Sequence, residues 1–170
     1  RIEDIIAVVA LYRPGPMEQI PSYINRKHKL ESTSYAHPLL EKLLLETHGI
    51  MIYQEQVMEA ARIIAGFSLA KADLLRRAMG KKIKSEMIAQ RSNFIEGCRK
   101  NNLKDEESIE LFSEIEKFAG YGFNKSHAAA YAIISYQTAF LKTYYPKEFI
   151  AASMTMDISN QNKLSEFYEE

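Results

Sequence analysis

A mainly helical fold is what this 170-residue sequence predicts, with at most one short β-hairpin. Three observations point there. Apolar residues recur at three- and four-residue spacing through most of the chain, and Gly, Pro, Ser and Asn stand where helices should begin and stop. Only "IMIY", residues 50–53, has the look of a strand. Hydrophobic residues make up 46% of the chain, enough for a single helical domain over 1–170 with a substantial core.

The elements follow in order. Ile2–Tyr12 reads as an apolar helix that must stop near Arg13, because Pro14 disfavours helical geometry in the residue before it. "RPGPM" is a rigid turn, its two prolines fixing φ on either side of Gly15. Ile20–Lys29 is a short helix with basic residues at its end. Pro38 suits the first turn of a helix whose Leu39, Leu40, Leu43 and Leu44 share a face until Gly49. From Gln54 a helix runs to a stop at Gly66, with Val57, Ala61 and Ile64 on one side. Ser68 caps "LAKADLLRRAM", with Gly80 as its expected stop, and Ser85 opens the next helix. Asp105 caps an acidic helix that runs to about Phe118. A long helix starts at Asn124 or Ser126 and ends at Pro146, with shorter helices after it.

Formal charge is zero, yet it is strongly segregated. Residues 71–104 hold ten Lys or Arg against three acids, and the acidic helix that follows sets six acids against Lys117 alone. The positive block centres on Arg76, Arg77, Lys81, Lys82 and Lys84, around Gly80. A helix dipole rewards a cation at its C-terminus by about 0.3–1 kcal/mol, which accounts for one or two of the five. A solvated, salt-bridged helix end is one reading of the rest; a surface that contacts phosphate is the other.

"FAGYGFNKSHAAAYA", residues 118–132, raises the same question at a helix start. Free backbone N–H groups there add to the charge of Lys125. His127 and Tyr131 lie four residues apart, on one face kept low by alanines, where something flat could lie. A nucleotide fits that outline; so does a satisfied surface histidine beside aromatic residues that merely pack. Gly120 and Gly122 permit tight turns among the loop aromatics.

For catalysis the chain offers little. Its acids stand at caps and exposed faces rather than paired for metal ions, and no Gly-rich P-loop, zinc spacing or Ser-His-Asp order appears. His28, His37 and His48 fall at loops or helix ends. Cys98 is the single cysteine, which excludes an internal disulfide and fits a reducing, cytoplasmic setting. The sequence stops inside a helical pattern at Glu170, so it reads as a piece of something longer.

Four blocks, "ALYRPGPM", "YQEQVM", "ADLLRRAMGKK" and "EKFAGYGFNKSHAAAYAIISYQTAFLKTYYPKEF", resemble successive blocks of the bacterial C-family replicative DNA polymerases, the polymerase III α subunits. The similarity runs over almost the whole chain; "IAASMTMDISNQNKLSEFYEE" at its end is less distinctive. The resemblance implies the helical fingers region of such a polymerase, which binds the incoming deoxynucleoside triphosphate (dNTP) opposite the template. It implies that Arg76, Arg77, Lys81 and Lys82 face the triphosphate, with Lys125, His127 and Tyr131 near its sugar and base and Arg13 as a lesser candidate. The resemblance also implies that catalytic residues and Mg²⁺ ligands belong to a palm domain outside this chain, so the fragment alone is expected to be inactive. Primer-template DNA, dNTP, the polymerase's other domains and, through regions outside this chain, the sliding clamp and other replisome subunits are the implied partners. A DNA-backbone-binding or protein-interaction module with no nucleotide site is the alternative.

Overall fold

The computed structural model describes residues 1–81, 84–119 and 121–169. Lys82 and Gly120 therefore lie outside the described residues. The first helices are α1 (Ile2–Leu11), α2 (Ile20–Lys27) and α3 (Glu41–Leu44). A four-helix group follows: α4 (Gln54–Ala65), α5 (Leu69–Lys81), α6 (Lys84–Lys100) and α7 (Asp105–Ala119). The chain continues through α8 (Lys125–Tyr144), α9 (Pro146–Met156) and α10 (Gln161–Glu169). Among the described residues, no helix is long and apolar enough to cross a membrane.

The larger core lies among α4–α7, where Val57, Ile64, Leu75, Phe94, Phe112 and Ile115 are buried together. Gly66 ends α4 in the left-handed region at φ 64°, as its position in the sequence predicts. Gly97 is required by a close approach. A Cβ there would stand 2.1 Å from the carbonyl oxygen of Ala65. Asn101 Nδ2 donates to the Ile64 carbonyl at 2.9 Å, so the end of α6 is pinned to the end of α4.

Helix directions follow from that pin. α6 has 17 residues, which makes it about 25 Å long. Its start, with the end of α5 just before it, therefore lies far from that pin. α7 leaves from the pinned end and returns. Phe123, just beyond it, pairs with Tyr53 at the start of α4: Gln54 N donates to Phe123 O at 2.9 Å, and Phe123 N to Ile52 O at 3.1 Å. The start of α4 and the start of α8 thus lie together.

A second, smaller core joins α1 to α8. Ala7, Ala10, Leu11, Tyr23, Ile52, Tyr53 and Ala128 are buried in it. Small residues on both helices permit their close packing. Under this core, the Gln56 side chain accepts from Ile52 N at 2.8 Å and Tyr53 N at 3.0 Å, and donates to Thr47 Oγ1 at 2.9 Å. Buried polar atoms are therefore satisfied where the chain enters α4.

Several expectations are corrected. "IMIY" forms no hairpin: among the described residues the only β feature is the parallel Tyr53–Phe123 bridge, and the extended backbone is held by the Gln56 side chain instead. The helix expected from Pro38 to Gly49 is broken into a 3-10 turn (Pro38–Leu40), α3 and a second 3-10 turn (Leu45–Thr47). His48 (φ 53°) and Gly49 (φ 82°) then turn left-handed and end it. Gly80 does not stop α5, which continues to Lys81; α6 begins at Lys84, one residue before Ser85. Asp105 is the first residue of α7, and pairs with Arg99 at 2.6 Å.

Two glycine substitutions separate these roles. Gly97→Ala is expected to lose about 1–3 kcal/mol by overpacking against α4. In Gly80→Ala, where a Cβ meets no heavy atom within 4 Å, stability should hold or rise by up to about 1 kcal/mol. Hydrogen exchange of the segments 60–66 and 94–101 in the full-length protein reads the difference.

Candidate functional site

Two groups of cations are the candidates. The first stands on the last turns of α5. Leu75 and Ala78 face the core, which turns Arg77 and Lys81 to solvent and leaves Arg76 half-buried. Asp73, one turn earlier, divides its two oxygens between the arginines. Oδ1 meets Arg76 Nη2 at 2.8 Å and Oδ2 meets Arg77 Nε at 2.7 Å. Hydrogen bonding from Arg76, reinforced by the charge of both arginines, holds the Asp73 carboxyl below the usual carboxylate range. A depressed carboxylate stays ionised and paired above its ordinary pKa and loses that pairing only as pH falls through the lowered value. One acid therefore sets two guanidinium groups side by side at neutral pH, each with N–H donors to spare. Lys81 is exposed beyond them.

The second group stands at the start of α8. Asn124 is the N-cap: its Oδ1 accepts from His127 N at 2.8 Å. Glu55, in the first turn of α4, places both carboxylate oxygens on Lys125 N, at 3.1 and 3.0 Å, and accepts from Asn124 Nδ2 at 3.0 Å. An internal carboxylate thus occupies the backbone donor that was read from sequence as open to an anion. Lys125 Nζ pairs with Glu46 at 2.6 Å and lies 5.3 Å from the centre of the Tyr53 ring. Burial, with Glu46 close by, pushes the Tyr53 hydroxyl well above its ordinary pKa.

His127 and Tyr131 do share a face. Their ring centroids are 4.8 Å apart, and Phe123 extends the file at 5.5 Å from His127. Tyr131 is 53% exposed, so the file ends at a surface. Arg13 meets the other end: its guanidinium lies 4.8 Å from the Phe123 ring centre, Nε donates to Ala10 O at 2.8 Å, and Nη2 donates to Tyr121 O. Burial lowers the pKa of Arg13.

Arg76, Arg77 and Lys81 are therefore brought together, as are Arg13, Lys125, His127 and Tyr131; Lys82 lies outside the described residues. The two groups sit on separate packing units, α5 against α4, α6 and α7, and α8 against α1 and α9. α4 lies between them, packed against α5 and joined at its start to the head of α8. Glu55, Glu46 and Phe123 escaped sequence reasoning. Glu55 and Glu46 act 70 and 79 residues away from Lys125, and only a surplus of acids over bases at the start of α4 hinted at the first. Among the described residues, no group of three or more His, Cys, Asp or Glu is placed to hold a metal ion.

Residues 1–102 match the model of the bacterial DNA polymerase III alpha subunit finger domain. The chain belongs to this family. The match covers α1 through α6 and so includes Arg13 and the Arg76–Lys82 block. Likeness to whole proteins extends through α8 to the last residue. A DNA polymerase III subunit alpha of Neisseria meningitidis serogroup A is 57% identical over all 170 residues, which cover 15% of its length. That of Rickettsia prowazekii is 55% identical over 169 residues, 99% of this chain and 14% of the relative. That of Xylella fastidiosa Temecula1 is 54% identical over 170 residues, again 14% of its length. The chain thus spans about one seventh of the proteins it resembles.

Within this fingers domain the Glu55 contact should set the order of the α8 start. Glu55→Gln is expected to weaken it by about 1 kcal/mol, the size of a lost cap, seen as faster amide exchange over 124–128. Glu59→Gln, which breaks only an exposed pair with Arg62, should leave that exchange unchanged.

Proposed function

We propose that this chain is the part of a DNA-directed DNA polymerase that holds the incoming dNTP against the template during bacterial chromosome replication, in the cytoplasm. The reaction is nucleotidyl transfer: the primer 3′-hydroxyl attacks the α-phosphate and pyrophosphate leaves. Divalent ions, in this reading, are held by another part of the polymerase. They supply Lewis-acid stabilisation of the transferring phosphoryl group. This segment's share is electrostatic and steric.

The observation that carries the reading is the division of Asp73 between Arg76 and Arg77. The carboxylate fixes where the guanidinium groups stand without neutralising both. Planar forks held in place beforehand suit phosphate oxygens, and preorganised charge costs little reorganisation during reaction. Lys81 and Lys82 add point charges for the β- and γ-phosphates. Family membership, likeness to whole relatives through α8 and the ring file support the second half of the reading, in which His127 and Tyr131 lie along the sugar and base of the same nucleotide. Lys125, tied to Glu46, steadies that helix start and adds positive charge beside it.

Primer-template DNA, the other domains of the subunit and the replisome's clamp are the partners this role requires. In the full-length polymerase, Arg76→Ala and Arg77→Ala are each expected to raise KM for dNTP by roughly tenfold or more, with primer-template affinity unchanged. Steady-state incorporation and DNA-binding titrations check this. Lost DNA affinity with a normal KM, and a steep salt dependence, would instead mark these arginines as contacts to the DNA backbone.

A further inference from the structure

The two loops singled out in the sequence, "RPGPM" and "GYGF", touch each other, and one side chain joins them. Arg13 leaves the end of α1 with its Nε on the Ala10 carbonyl at 2.8 Å, so the arm is fixed at its base. Its Nη2 reaches 108 residues along the chain to the Tyr121 carbonyl, and the guanidinium plane stands over the Phe123 ring at 4.8 Å.

Packing alone would leave this loop under-determined. Tyr121 is exposed, and its ring rests on Gly15, where a Cβ would fall 2.7 Å from Cε1. Gly15 is at φ 95°, so that approach depends on glycine twice over. Behind Tyr121 lies a hollow of about 220 Å³, lined by Leu11, Pro16, Met51, Ile52 and Phe118 among others. Backbone hydrogen bonds already join Phe123 to Ile52 and Gln54; the residues before it gain from a further directional tie. Arg13 supplies one to the backbone and one to the adjacent ring.

We infer that Arg13 is a positioning residue: by holding the 121–123 loop and the Phe123 ring, it sets the file of His127 and Tyr131 at the head of α8. This inference rests on the reading of that file as the face along the nucleotide. It gives Arg13 a role through Phe123 instead of through direct contact with phosphate. The distances form an unbroken series of neighbouring groups, from guanidinium to Phe123, His127 and Tyr131, at 4.8, 5.5 and 4.8 Å. Nucleotide positioning is sensitive to displacements of this order, since a shift of about 1 Å can cost up to 10²-fold in rate.

The test uses the full-length polymerase with Arg13→Gln, Arg13→Lys, Phe123→Leu and the Arg13→Gln/Phe123→Leu double variant. KM for dNTP, kcat, primer-template affinity and amide exchange over 121–131 are measured for each. Arg13→Gln is expected to raise KM by roughly tenfold, leave DNA affinity unchanged, and speed exchange over 121–128 but not in α4–α6. Arg13→Lys, which keeps the charge over Phe123 but not the fork, should recover part of the loss. The double variant should be no worse than the more severe single one, because both act on one ring file. An unchanged KM in Arg13→Gln while Arg77→Ala raises it, or multiplicative losses in the double variant, overturns the inference. Should Arg13→Gln fail to fold, the Arg13→Lys and Phe123→Leu pair decides by the same readouts. If Arg77→Ala also leaves KM unmoved, the functional reading falls by itself. Exchange over 121–128 then decides for Arg13: faster exchange supports the tie, and unchanged exchange overturns it.

Discussion

The carboxylate of Glu55 at the head of α8 is the contact on which the rest of this arrangement depends. It lies on the first turn of α4, where the four-helix group begins, and it closes the first turn of the helix that carries Lys125, His127 and Tyr131. The Tyr53–Phe123 bridge sits directly beside it. Together they join the head of α8, from the smaller core, to the start of α4, in the larger one. Without that lock, α8 would be fixed to the molecule chiefly through its contact with α1. An acid at a helix start is favourable both as a hydrogen-bond acceptor and by the helix dipole. Here the same acid also decides which end of the bundle the helix leaves from.

From that joint the electrostatics follow. α5 packs on α4, whose first turn holds the head of α8, so α4 stands between the densest positive block in the sequence and that helix start. Repulsion among those cations is tempered locally, by Asp73 between Arg76 and Arg77 and by Glu46 against Lys125. These are exposed or half-exposed pairs, worth little as stabilising contacts. Their effect is orientation: they fix where positive charge stands. Cations whose positions are fixed beforehand cost little reorganisation on meeting an anion, which is what the proposed contact with phosphate requires.

Local chemistry made much of the fold legible. Pro14, Gly66 and Pro146 mark helix boundaries by conformational restrictions that act within one or two residues, and those boundaries stand. Asn124 was legible as a cap for the same reason. What sequence could not show was set by distant partners. "IMIY" has the composition of a strand, but its backbone is satisfied by Gln56 and Phe123, the second 70 residues away in sequence. Gly80 looked like a stop, yet glycine ends a helix only where the chain must turn left-handed, and α5 runs on to Lys81. At the site, the cations announced themselves by clustering and the carboxylates that hold them did not. Asp73 was readable as a balance for its neighbours because it is one turn away. Glu46 and Glu55 become partners of Lys125 only once α4 and α8 meet.

The central claim is that the α5 end and the α8 head meet one nucleotide. Photo-crosslinking of the full-length polymerase with primer-template DNA tests it most directly, using two reactive dNTPs in the closed complex, one labelled on the base and one on the γ-phosphate. The account predicts base-label adducts within 125–131 and γ-phosphate-label adducts within 76–82. Adducts of both labels confined to one of these segments, or to neither, would contradict it.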